Sequence, residues 1–361
     1  MKRLTLFILI LSIVTMSAAA EPDTPCLEDK ISIDTPETLF TTFAFITIAK
    51  FDTINTDRMI PLKQFVWKDL DRNLSPSYKA ELRAAYDSLE NRMFAYRAGV
   101  FSVLCSEPPH IRLKEKEMRT YYLAHEKDPD TILSYFDDVQ ALPDILNRFY
   151  ETAAISRLWD QVQPWYNNAV NIYEKTVYPE TREALAYLGF PEKELCEKMD
   201  RIRIIPHLIG TRGNAYGPTW CGVKYDIHTP WSRISWSPHE FIHNMVADVT
   251  RSGTFETEIT AIVDMVWEGV DSTSARKYYS EKVNFFDECL VRTLDHVVNA
   301  DYKTAGGRAQ IAARLENQAG RGFVLCVPMH EALDLYEKSG KEFSAFFPEY
   351  LAHLETVIKG S

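Results

Sequence analysis

The stretch Ser237-Pro238-His239-Glu240-Phe241-Ile242-His243 constrains this chain more than any other. Ser237 reads as a helix cap, Pro238 fits the first turn, and Glu240 stands three residues beyond the cap. On a helix, residues four apart stack on one face. His239 and His243 therefore point the same way, with Glu240 beside them. Two imidazoles one turn apart can share a single ion, and an adjacent carboxylate can take a proton from water that the ion activates. A capping box would explain Glu240 but not the two histidines. Any fold that uses the motif must bring a third ligand to that helix face and leave one position open.

The sequence narrows where that ligand comes from. Val246 and Val249 stand where an H-x-x-G-x-x-H continuation would need Gly and His, so a third histidine is excluded there. A carboxylate from a following helix is the remaining source. Arg251-Ser252-Gly253 ends the first helix near Val249, and Thr254 can cap the next, whose apolar stripe is Phe255, Ile259, Ile262, Val263 and Val266. In a tight hairpin, residues one to two turns into the second helix lie level with His243, both legs then being about 9 Å long. Glu258, Glu256 and Glu268 compete for the role. Glu258 is preferred because it falls between Ile262 and Met265 on the helical wheel, and an acid on a buried face needs a partner. Glu256 lies nearer the edge of that sector. Glu268 falls on the polar side with Asp264, about 15 Å along the helix.

His239-Glu240-Phe241-Ile242-His243 followed by Glu258-Ile259-Thr260-Ala261 resembles the gluzincin group of zinc metallopeptidases. The resemblance covers residues 225–270, with a weaker similarity of strand order upstream. It implies Zn²⁺ held by His239, His243 and Glu258, with Glu240 as general base in the hydrolysis of peptide bonds in a peptide or protein substrate. Many gluzincins carry an acid just after the alanine; Ile262 replaces it here, which leaves Asp264 as the nearest group to orient a ligand histidine. The oxyanion of such a reaction needs a donor besides the metal, and Tyr225, His228, His330, Tyr278 and Tyr279 are the candidates. The alternative is a zincin-like binding protein of the cell envelope or secretome that turns nothing over.

The expected fold is α+β and predominantly helical. Residues 21–199 read as a helical region. Helix starts fall at Thr35-Pro36-Glu37 and Ser75-Pro76, the latter opening a run through about Val103, and the aromatics of 144–173 read as core. Residues 200–361 read as the zincin-like catalytic region, in which a small sheet precedes the metal helix and a Glu-bearing helix. Arg203–Ile209 and Trp220–Ile227 are the expected strands, the second an edge on which an extended peptide could pair.

Residues 1–20 have the pattern of an export signal: Lys2-Arg3, an apolar run from Leu4 to Met16, and Ser17-Ala18-Ala19-Ala20 before Glu21. Export to a periplasmic or extracellular space is the expectation, with no stable membrane span after cleavage. The six cysteines all follow the cleavage site and permit up to three disulfides. No C-x-x-C occurs. A net charge of −11 without a basic stripe argues against nucleic acid as a partner.

Overall fold

A computed structural model describes residues 26–50, 61–89, 94–113, 115–125, 133–134, 137, 140–210, 213–214, 219–220, 223–229, 234, 236–270, 275–299 and 304–360. The expected export signal and Cys221 lie outside these residues. The protein is α+β and predominantly helical. Among the described residues no helix is long and apolar enough to cross a membrane.

The first half is built around α1 (Glu37–Ala49), which starts directly after Pro36. This helix is buried on nearly every side, and threonines make that possible by bonding back to the preceding turn. Thr41 Oγ1 donates to the Glu37 carbonyl and Thr42 Oγ1 to that of Thr38, both at 2.9 Å. Around it pack α2 (Pro61–Asn73), α3 (Pro76–Leu89), α4 (Phe94–Val103) and α6 (Leu142–Thr152), with α5 (Glu115–His125) between the last two in sequence. The run expected from Ser75 to Val103 is helical over α3 and α4, and residues 90–93 between them are not described.

Helix α7 (Ile155–Leu188) is 34 residues long and belongs to both halves. Leu158, Val162 and Tyr166 point into the first core, whereas Tyr173, Val177 and Leu185 point into the second. It stops at Gly189, whose φ of +65° suits glycine, and Phe190 N–H returns to the Leu185 carbonyl at 2.9 Å. A short helix α8 (Glu192–Lys198) follows.

The sheet lies between the cores. Strands β1 (Ile31–Ile33), β2 (Arg201–Pro206) and β5 (Val223–Thr229) run parallel in the order β1-β2-β5. Strands β3 (Gly213–Asn214) and β4 (Thr219–Trp220) pair antiparallel with the two ends of the free side of β5. The expected edge strand Trp220–Ile227 is thus corrected: Trp220 belongs to β4, and β5 is an inner strand with neighbours on both sides. The alternation of side chains divides the sheet faces. Ile202 and Ile204 face the second core, and Ile205, Tyr225 and Ile227 the first.

The cores therefore interleave across residue 199. Residues 26–34 pack with the second half, where Cys26 is disulfide-bonded to Cys196 and Arg182 pairs with Glu28 at 2.8 Å and Glu192 at 2.9 Å. Cys105, Cys289 and Cys326 are free thiols. Besides the four-residue helices Leu27–Lys30 and Ala275–Tyr278, the described residues also form α9 (His239–Thr250), α10 (Glu256–Asp264), α11 (Lys282–Val298), α12 (Ala305–Gly320), α13 (Cys326–Ser339) and α14 (Phe343–Gly360). The helix laid along α9 is α11, not α10. That single fact decides the composition of the site.

Candidate metal centre

Helix α9 begins at His239 with Pro238 as its cap residue, so Ser237 does not take the capping role expected of it. Its hydroxyl instead donates to Asp295 Oδ1 on α11 at 2.5 Å and accepts from His239 N–H at 3.4 Å. The start of the helix is tied to α11 before the motif begins. Phe241, Ile242, Met245 and Val246 bury the opposite face in the second core. This fixes the roll of the helix and turns both histidines toward α11, their ring centroids 5.0 Å apart.

Glu288 on α11 completes the group. Its Oε1 lies 3.7 Å from His239 Nε2 and its Oε2 lies 3.4 Å from His243 Nε2. One ligand atom from each of the three residues falls within 4.8 Å of the others, an arrangement that could hold a metal ion. The donor set fits a small divalent cation, since two neutral imidazoles and one carboxylate leave a tetrahedral position over.

The structure brings Glu288, and none of the three expected glutamates, to the histidines. Glu258, Glu256 and Glu268 are all exposed and none joins the histidines. The physical reason is twofold. The hairpin partner assumed for α9 is not its neighbour, because α10 packs against α11 and α14 instead. The buried stripe of α10 is Ile259, Ile262 and Val263, with Met265 39% exposed, so the apolar sector does not extend to Glu258. Asp264 does not orient a histidine; it pairs with Lys282.

That orienting task falls to Asp287, which is fully buried. Its Oδ2 lies 2.6 Å from His243 Nδ1, its Oδ1 accepts from Thr250 Oγ1 at 2.5 Å, and Arg251 closes the ion pair. A proton held on Nδ1 by a carboxylate leaves Nε2 as the atom facing the site, where an ion would take the place of its proton. Arg292, one turn beyond Glu288, donates from Nη2 to Glu288 Oε1 at 2.5 Å and stacks over Phe323 at 4.0 Å.

The electrostatics favour a cation. Burial opposes charge on His243, but the carboxylates of Asp287 and Glu288 push its pKa up to about 9. Burial would raise the pKa of Glu288, yet His239, His243 and Arg292 hold it far below the usual carboxylate range. Asp287 is lowered in the same way by His243, Arg251 and Thr250 against its burial. Asp226, on the face of β5 toward α9, is pushed up to about 7 by burial and by the charge of Glu240 nearby.

The group opens into a cleft of about 830 Å³, and Glu240 lines it together with both histidines and Glu288. The five candidate oxyanion donors separate clearly. Tyr278 is 74% exposed at the cleft wall. Tyr279 lines the cleft with Glu288 and Arg292, and burial together with the charge of Glu288 pushes its pKa up. Tyr225, His228 and His330 do not line it. Tyr225 packs in the first core, His228 is buried against the Tyr173 hydroxyl, and His330 sits on α13.

Sequence reasoning missed Glu288, Asp287, Arg251 and Arg292. The signal was present in Phe285-Phe286-Asp287-Glu288-Cys289-Leu290-Val291, where two adjacent acids interrupt an apolar run. Such a run must be buried, and buried acids require partners. No protein-family model, curated protein or solved structure matches this chain.

Proposed function

We propose that this chain is an exported zinc-dependent peptidase of the zincin type, with His239, His243 and Glu288 as ligands and Glu240 as general base. The observation that carries the reading is the convergence of two imidazoles, a buried carboxylate and a free acid in one open cleft. A zinc ion there supplies Lewis acidity, which polarises a carbonyl and makes water acidic near neutral pH. The chain's own groups do the rest. Glu240 takes a proton from the attacking water and returns it to the leaving amine. Tyr279, which lines the cleft with Glu288, donates to the oxygen that becomes negative. Asp287 keeps the His243 ring in one tautomer and orientation. Export is supported by the amino-terminal pattern of residues 1–20 and by the Cys26–Cys196 disulfide, since such bonds persist in oxidising compartments.

The test is elemental analysis of the purified chain joined to a peptide-library assay. One zinc per chain and metal-dependent cleavage are expected. Glu240→Gln should keep the zinc and lower the rate by about 10²–10⁴-fold, the usual contribution of a general base. Zinc without turnover would make the protein a binding module; no zinc would remove the reading altogether.

A further inference from the structure

We propose that the cleft selects peptides carrying a carboxylate close to the scissile bond, and that Lys224 is the side chain that reads it. The inference rests on the peptidase reading above.

The cleft wall is polar almost throughout. Among the described residues, Tyr278 and Tyr279 supply the only hydrocarbon rings in its lining, and no aliphatic side chain joins them. Ligand pockets usually gain their affinity from apolar walls, and a leucyl or phenyl side chain finds no such wall here. Selection must come from charge and hydrogen bonding.

Among the described residues four Lys or Arg side chains line the cleft: Lys224, Arg251, Arg292 and Arg321. Arg251 is spent on Asp287. Arg292 is spent on Glu288 at 2.5 Å and Gln318 at 3.2 Å. Arg321 donates to the same Gln318 at 3.5 Å. Lys224 differs from these. It is half-buried, and among the described residues no ion pair within 4.0 Å holds it, although its charge and that of Asp226 act on each other. Of the lining acids other than Glu240, Glu288 is held by Arg292, Asp295 accepts from Ser237 at 2.5 Å and from Asn299 at 2.7 Å, and Glu281 from Asn284 at 3.1 Å. Asp226, two residues along the same strand face, is 5% exposed with Oδ1 unpartnered.

Lys224 is also held in place. It sits on the inner strand β5, with Ile202 as its partner on β2 and Thr219 on β4. Its face of the strand is the one that Asp226 presents toward Glu240. A half-buried ammonium that no direct ion pair holds, on a rigid strand that lines the cleft with the proposed base, recognises an anion. In a peptide that anion is an Asp or Glu side chain or the terminal carboxylate.

The experiment uses the zinc-loaded chain and peptides that differ at one scanned position, Glu, Gln or Lys, each with a free and an amidated C-terminus. At one position kcat/KM for Glu should exceed that for Gln by about tenfold to a hundredfold, the worth of a hydrogen bond to a charged group. If the advantage instead follows the free C-terminus, the terminal carboxylate is the group read. Lys224→Met should abolish the preference and Lys224→Glu should turn it toward Lys. Each preference is a ratio within one protein sample, so a loss of folded material cancels. Equal rates for Glu, Gln and Lys and for both C-termini would overturn the inference and leave the peptidase reading standing, as would a preference that survives Lys224→Met. Absence of any Glu240-dependent cleavage would instead sink the peptidase reading, and this inference with it.

Discussion

His207 is a buried imidazole packed in the first core and His243 a half-buried one at the cleft, and they are held in opposite states. His207 packs edge-on against Phe43 at 4.2 Å, its Nε2 has no hydrogen-bond partner, and burial together with the charge of Lys63 pushes its pKa down to about 3. It is a neutral packing group. His243 meets Asp287 at 2.6 Å and Glu288 at 3.4 Å, and its pKa is pushed up to about 9 against the effect of burial. Burial alone therefore says little about a histidine. What separates a core residue from a candidate ligand is whether carboxylates face the ring, and in this protein they come from α11.

Three substitutions sharpen that contrast. Glu288→Gln has the largest expected effect: zinc affinity should fall by more than about 100-fold, exceeding the loss typical of an outer partner. Glu258→Gln should leave zinc affinity unchanged, because that side chain is exposed. Isothermal titration of both variants checks the pair, and a loss of zinc from Glu258→Gln alone would reverse the assignment of the third ligand. Asp287→Asn is the intermediate case, with zinc affinity reduced about 10–100-fold as the His243 ring loses its charged partner.

The smallest effect is in the first core. Burial pushes the Lys63 pKa down to about 8, and its ammonium donates to the Gly210 carbonyl at 3.0 Å. A cation whose folded pKa lies below its unfolded value of 10.5 destabilises the fold most below pH 8. Stability should therefore rise between pH 8 and about 10.5, by no more than about 3 kcal/mol. Denaturant melts of the wild type and Lys63→Met over that range provide the measurement, and the rise attributable to this group should vanish in the variant. An identical pH profile in the two proteins would show that Lys63 is solvated rather than buried.

Much of the secondary structure and half of the site were legible in the sequence. Glu37, Pro76 and His239 begin helices where proline and polar punctuation put them, and Ile259, Ile262 and Val263 form the buried stripe that their spacing implied. Local periodicity carries such features, because it reports how a segment meets whatever it packs on. Tyr279 was among the candidates, but nothing local distinguished it from Tyr225 or His330.

The sequence alone determined that two imidazoles and an acid share the first turns of one helix, since a 3.6-residue repeat needs no tertiary information. Tertiary structure decided which helix lies beside it. Glu288 follows His243 by 45 positions, and no repeat or spacing rule spans that distance. Only the packing of apolar faces brings α11 against α9, leaving α10 to pack elsewhere. The burial that follows turns Asp287 and Glu288 from two acids in an apolar run into the partners of His243.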